Sequence, residues 1–259
     1  MINVFIGYDP NEILAYHVLC HSILTRTSEP VTICPININS IPEYTRPRDP
    51  KQSTEFSFSR FLVPWLMGYQ GDAIFMDCDM LVLGDIADLL IDDYPTSNGV
   101  SVVQHDYTPS TKTKFLGQEQ TVYPKKNWSS VMVFDCAHPD CRRLTPEAVN
   151  TESGKWLHQF EWAYRVGAIS PKWNYLVGEG QEVKDPKLIH YTIGGPWFNE
   201  YSDCEYSTEW FAELESMYAL QDVRWSGVSE VEAEGHTDSE PVPREPLFGG
   251  VLPFGANGV

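Results

Sequence analysis

The stretch Ile74-Phe75-Met76-Asp77-Cys78-Asp79-Met80-Leu81-Val82-Leu83-Gly84-Asp85 sets two carboxylates inside an otherwise apolar, strand-like run. Burying a carboxylate is costly unless its charge is compensated. On a continuous strand, residues 77 and 79 project to the same face, where like charges repel unless a cation lies between them. If the strand ends at Met76 instead, the pair occupies the turn beyond its carboxyl end, the place where open α/β sheets bind ligands. Both readings call for a hard divalent cation accompanied by a phosphate-bearing ligand. The plainer alternative is a pair that caps a helix or shapes a turn.

Outward from this stretch, strands alternate with helices. Residues 2–6 read as a buried strand broken at Gly7-Tyr8-Asp9-Pro10. Residues 11–25 follow with apolar side chains at helical spacing, Ile13, Tyr16, His17, Cys20 and Leu24 forming one stripe. Residues 31–36 read as a second strand that Pro35 confines to an edge or an end. Residues 57–68 read as a helix bent or started near Pro64. Further strands are expected at 73–76, 100–104, 129–135 and 187–192, and helices at 139–150, 155–166 and 205–220. The polar segment 106–127 is long enough for a functional loop or lid. This alternation predicts an α/β fold with a mostly parallel central sheet flanked by helices.

The 259 residues suit one large domain with an appendage. A domain over 1–220 gives way at 221–259 to a Pro- and Gly-containing acidic stretch that reads as a loosely ordered tail. The formal charge of −18 repels nucleic acid and anionic membrane, so neither is expected as a partner. The same charge repels a nucleotide diphosphate, which makes a neutralising metal more necessary. No apolar run reaches the roughly 18 residues of a transmembrane span. Met1 leads directly into a strand, so the expected compartment is the cytoplasm. The six cysteines contain no Cys-x-x-Cys pair, and reduced, mostly buried thiols are expected.

Taken together, Asp77-Cys78-Asp79 after an apolar strand, Ser59-Arg60-Phe61 before it and His190-Tyr191-Thr192-Ile193-Gly194-Gly195-Pro196-Trp197 far downstream resemble a known family. It is that of the nucleotide-sugar glycosyltransferases of the glycogenin and bacterial lipooligosaccharide galactosyltransferase type. The resemblance covers about residues 1–220 and implies the glycosyltransferase-A fold. It implies a Mn²⁺ or Mg²⁺ ion held by Asp77, Asp79 and His190. It also implies transfer from a nucleoside diphosphate sugar, a UDP-sugar by preference, to a saccharide or other hydroxyl acceptor, with retention. The chemistry agrees independently, because a Lewis acid stabilises the charge that develops on a departing diphosphate.

Carried over residue by residue, Gly7, Tyr8 and Asp9 fall where the family binds the nucleoside. Arg60 falls beside the first motif aspartate and the donor sugar, and Cys78 lies inside the motif. Ser129 and Ser130 resemble the floor of the sugar pocket, and Gly194 and Gly195 the loop that approaches the diphosphate. Gln159 and Glu161 compete for the reactive face of the sugar, where Arg60 also belongs. The chain departs from better-known members at Gly195, where they carry a lysine; Lys125, Lys126 and Arg165 are the possible replacements. A haloacid dehalogenase-type phosphatase also uses Asp-x-Asp after a strand, but it wants Thr or Val where Leu81 stands and the motif on its first strand. A sugar-phosphate nucleotidyltransferase would share the architecture, yet no Gly-rich basic signature follows the first strand. A non-enzymatic carbohydrate-binding module would use the 8 tryptophans but not the aspartates or the late histidine.

Overall fold

The computed structural model describes residues 1–49, 52–91, 97–106 and 124–225. Its main sheet has six strands: β1 (Ile2–Gly7), β2 (Val31–Ile36), β3 (Asp72–Met76), β5 (Val100–Val102), β6 (Val131–Asp135) and β7 (Val166–Ala168). Their order is β2-β1-β3-β6-β5-β7. The β1/β2, β1/β3 and β5/β7 pairs are parallel, and β6 alone runs against its neighbours. This is the mixed, mostly parallel α/β sheet that the alternating pattern predicts. Pro35 sits on the edge strand β2, where its missing N–H costs no ladder bond.

A second, three-stranded sheet was not foreseen: β4 (Met80–Val82), β9 (Leu188–His190) and β8 (Tyr175–Leu176), in the order β4-β9-β8. Its register sets Met80 opposite His190, Leu81 opposite Ile189 and Val82 opposite Leu188. One residue before this pairing stands Asp79, so the register itself carries His190 to the acidic turn. The strand question is thereby settled: β3 ends at Met76, and Asp77 to Asp79 form the turn into β4.

Helix α1 (Ile13–Arg26) buries Ala15, Tyr16, Val18, Leu19, Ser22 and Ile23, so of the expected stripe Tyr16 is buried and Cys20 packs partly buried against the core. Ile13 and Leu24 are exposed. The helix is gripped from two sides, because Tyr16, Leu19 and Ile23 join the main core while Val18 joins a second cluster with Leu81, Tyr175 and Trp210. A helix buried on two flanks shows a wider and rotated apolar arc than one stripe implies.

The expected helix at 155–166 shrinks to α5 (Gly154–His158). Phe160 takes a left-handed φ of 57° and ends it. Burial explains the break: Trp162 is fully enclosed, stacks on Phe134 with centroids 6.4 Å apart, and donates from Nε1 to the Leu157 carbonyl at 3.3 Å. The segment 139–150 likewise splits into a 3-10 turn at Pro139–Arg143 and α4 (Pro146–Thr151), which Thr145 caps through its side chain. Residues 57–68 form a 3-10 turn at Ser59–Leu62 and α2 (Val63–Leu66), with Pro64 in the first helical turn, where it is tolerated. Trp128–Ser130 turn before β6 begins at Val131.

After β4 comes α3 (Ile86–Ile91), and α6 (Ser207–Trp225) closes the described chain. The acidic stretch from 226 onward and most of the polar segment expected as a loop or lid lie outside the described residues. All six cysteines are free thiols, with Cys78, Cys136 and Cys141 buried. Among the described residues no helix is long and apolar enough to cross a membrane.

Candidate active site

The turn after β3 is anchored by its own backbone, since Asp77 N donates to the Ser130 carbonyl at 3.0 Å. Arg60, only 6% exposed, reaches in from the 3-10 turn at Ser59–Leu62. Its Nη1 lies 2.7 Å from Asp77 Oδ1 and donates to the Ser129 carbonyl at 2.9 Å. The guanidinium also lies over the Phe56 and Phe75 rings, with Cζ 5.2 and 5.1 Å from their centroids. An arginine survives this burial because its charge is paired and its plane is stacked.

Asp79 Oδ1 lies 3.3 Å from His190 Nε2. His190, 2% exposed, is oriented through its other nitrogen, with Nδ1 2.9 Å from Asn174 Oδ1. An amide oxygen only accepts, so Nδ1 carries a proton and Nε2 is the ring nitrogen that faces Asp79. Asn174 is itself fully buried and donates from Nδ2 to Ser130 Oγ at 2.8 Å and to the Asn127 carbonyl at 3.3 Å. Ser130 Oγ in turn donates to the Asn127 carbonyl at 2.6 Å.

One ligand atom from each of Asp77, Asp79 and His190 can be chosen so that all lie within 4.8 Å of one another. Two ligands each about 2.1 Å from one ion stand roughly 3 Å apart when adjacent, so these residues fit a single divalent cation. The fixed His190 tautomer is the arrangement metal-ligating histidines use. Two carboxylates and one imidazole suit a divalent cation. Arg60 at Oδ1 does not bar Asp77 from ligation, because a carboxylate has a second oxygen.

The triad opens into a cavity of about 350 Å³. Of the residues singled out from sequence, Arg60, Asp77, Asp79, Lys126, Ser129, Ser130, Gln159 and His190 line it. Glu161 does not: it turns outward to pair with the exposed Lys155 at 3.0 Å, because the chain leaves the helix at Phe160. The Cys78 side chain is likewise buried in the core, its Sγ–H directed at Glu12 Oε2. Burial and the charges of Glu12, Asp79, Asp77 and Asp9 push that thiol far above its ordinary pKa.

At the end of β1, Asp9 Oδ1 accepts from Asn11 N at 2.9 Å and Oδ2 from Glu55 N at 3.1 Å, which makes it an anchor of the turn. Tyr8 packs edge-on to Tyr16, their centroids 5.6 Å apart. A Cβ on Gly7 would come within 2.3 Å of the Phe56 ring, so only glycine fits there. Gly194 and Gly195 lie in the loop after β9, of which Thr192 reaches the cavity.

Two further residues, His158 and Asn174, lie in the segments 157–162 and 171–174 that resemble the family's donor-sugar motif, but their roles show only in the structure. Asn174 orients His190, and only the direct pairing of its side chain reveals it. His158 lines the cavity with Nδ1 2.9 Å from Ser129 Oγ and its ring edge-on to Phe61 at 5.1 Å. Burial, and then the charges of Arg60 and Arg46, push the His158 pKa down to about 3, so its imidazole is neutral at pH 7.

Protein CDI of Arabidopsis thaliana is 49% identical to this chain over 224 residues, covering 82% of the chain and 85% of that protein. The chain belongs to the Protein CDI family. No protein-family model matches it. Among solved structures, galactosyltransferase LgtC in complex with donor and acceptor sugar analogues superposes with a TM-score of 0.57 at 11% identity, over 83% of this chain and 96% of LgtC. Glycosyltransferase GlyE of Streptococcus pneumoniae gives 0.56 at 13% identity, over 85% of this chain and 65% of GlyE. The bifunctional glycosyltransferase WbbM gives 0.55 at 15% identity over 84% of this chain, which spans about half of WbbM's length, 51%. These superpositions establish the fold: the chain has the glycosyltransferase-A architecture that the motifs imply.

Proposed function

We propose that this protein is a metal-dependent glycosyltransferase that moves a sugar from a nucleoside diphosphate donor, a UDP-sugar in this reading, to a hydroxyl of a saccharide or other acceptor. The observation that carries the proposal is the triad of Asp77 and Asp79 beyond β3 and His190 at the end of β9, opening into a cavity within a glycosyltransferase-A fold. When bound, Mn²⁺ or Mg²⁺ supplies the Lewis acidity that stabilises charge on a departing diphosphate.

The chain's own residues divide the remaining work. Arg60 holds Asp77 in place and, through the Ser129 carbonyl, ties the acidic turn to the cavity floor. Ser129, Ser130 and Gln159 face the donor sugar as hydrogen-bonding groups. Tyr8 stacks on the base, while Asp9 shapes the turn that presents it. The Gly194–Gly195 backbone approaches the diphosphate. Residues 1–220 form the transferase unit in this reading, and 221–259 an appendage. Retention rests on the resemblance.

The test mixes the protein with a panel of nucleotide sugars and Mn²⁺ and follows release of nucleoside diphosphate, with Asp79→Asn as control. Metal-dependent turnover that Asp79→Asn abolishes is expected. No metal-dependent binding or turnover across the panel sinks the proposal, and phosphate release from simple monoesters points to a phosphatase instead.

A further inference from the structure

The turn that leads into β6 holds two non-glycine residues in the left-handed region, Lys125 and Asn127, each with a φ of 60°. Residues with side chains adopt that conformation rarely, and it persists where the surroundings enforce it. Lys125 is held from outside the turn, its Nζ donating to the Gln159 carbonyl at 2.7 Å and lying over the Trp128 and Phe160 rings. Asn127 begins the 3-10 turn Trp128–Ser130, yet its side chain does not cap it. Its backbone carbonyl and its side-chain amide both reach the candidate metal site instead.

The carbonyl is the first arm. It accepts from Ser130 Oγ at 2.6 Å and from Asn174 Nδ2 at 3.3 Å. A carbonyl oxygen only accepts, so the end of the Asn174 amide that faces it is the NH₂ group. Ser130 Oγ agrees: with its one proton given to the Asn127 carbonyl, it accepts from Asn174 Nδ2 at 2.8 Å. The amide oxygen is thereby turned the other way, 2.9 Å from His190 Nδ1. A reversed amide would set a donor against Nδ1 and disfavour the Nδ1 proton that leaves Nε2 facing Asp79. Asn127 thus keys the amide that keys the histidine.

The side chain is the second arm. Asn127 Nδ2 donates to Thr192 Oγ1 at 3.3 Å. Thr192 is 2% exposed, lines the cavity and stands midway between His190 and Gly194. The bond ties the turn before β6 to the loop after β9, whose Gly194–Gly195 backbone approaches the diphosphate in the proposed transferase. Asparagine suits both arms, because it tolerates a positive φ and carries a short amide.

We infer that Asn127 is a positioning residue that joins two parts of the site. Its carbonyl sets the Asn174 amide and with it the His190 ring, and its side chain holds Thr192 and the loop after β9. The part that concerns the diphosphate rests on the glycosyltransferase reading above. The test titrates the full chain with Mn²⁺ alone and with UDP plus Mn²⁺, in wild type, Asn127→Gly, Asn127→Ala, Thr192→Val and the Asn127→Gly, Thr192→Val double variant. Glycine keeps the left-handed turn and its carbonyl but loses the amide, so Mn²⁺ affinity should stay within about twofold while UDP weakens by about 3- to 10-fold. Alanine strains the turn and displaces the carbonyl, so Mn²⁺ should weaken as well, by about 10-fold. Thr192→Val should match the glycine variant on UDP, and the double variant should lose no more than either alone. Unchanged Mn²⁺ affinity in Asn127→Ala, or a glycine variant that loses Mn²⁺ as alanine does, overturns the role of the carbonyl. Unchanged UDP affinity in Asn127→Gly, or losses that add in the double variant, overturns the role of the side chain. A wild-type protein that binds Mn²⁺ but no nucleoside diphosphate removes the transferase reading and the role of the loop with it, while the Mn²⁺ comparison still decides the role of the carbonyl.

Discussion

At the metal end of the cavity, functional side chains are held by other side chains: Arg60 on Asp77, and Asp79 facing a His190 that Asn174 and Ser130 lock in place. The opposite wall is built from local contacts. Ser57 Oγ donates to the Thr54 carbonyl, Gln52 Nε2 to the carbonyls of Thr54 and Glu55, and α5 is five residues long. Long-range, buried hydrogen bonds fix geometry before a ligand arrives, as a charge-stabilising site requires. Short turns with polar tips adjust at small cost, as a wall that selects among sugars can. In the transferase proposed above, the contrast assigns bond-breaking chemistry to one end and selectivity to the other.

The contrast breaks most decisively at Asp79. Asp79→Asn keeps the volume and removes one anionic ligand, so metal-dependent turnover should fall about 10³-fold or more. A loss no larger than that of Gln159→Ala, on the opposite wall, would show that the two ends do not differ. Next comes Arg60→Met, which strips a largely buried carboxylate of its partner. Loss of about 3 kcal/mol of stability is expected in urea unfolding without metal, and saturating Mn²⁺ should return part of it through Asp77. Asn174→Ala frees the His190 ring to choose the other tautomer and should weaken Mn²⁺ by about 10- to 100-fold, with secondary structure intact by circular dichroism. Unchanged Mn²⁺ affinity there would mean that His190 is oriented by its strand alone.

The same contrast explains what could be read from the chain. Asp77 and Asp79 are legible because charge within an apolar run is a local anomaly, and the main sheet because its strands are contiguous apolar runs. His190 becomes a candidate only through its motif, since β4 and β9 are three residues each and pair across more than a hundred positions. Asn174 falls in a segment that resembles the donor-sugar motif, but its orienting role leaves no pattern, because one buried amide sixteen residues before the histidine reads like any loop asparagine. The misjudged helix at 155–166 fails for a related reason: Trp162 is claimed by Phe134 on a distant strand, and tertiary burial overrides helical spacing.

The smallest effect concerns the selective wall and its charge. His158 has a pKa of about 3 in the folded protein against an ordinary 6.5, so only the unfolded chain takes up its proton between those values. Stability therefore falls as pH drops from 6.5 toward 3, by at most about 1.4 kcal/mol per pH unit for one such group, and is unaffected above 6.5. His105, pushed down to about 3 chiefly by burial, adds a similar slope. His158→Phe should remove one of the two slopes between pH 6 and 4, measured by urea unfolding at each pH, and keep its ring packed against Phe61. Equal slopes in variant and wild type would mean that His158 titrates in the folded state and that this wall can become cationic. In the proposed transferase, a neutral imidazole there meets sugar hydroxyls through hydrogen bonds alone, leaving the charged chemistry to the end that holds the aspartates.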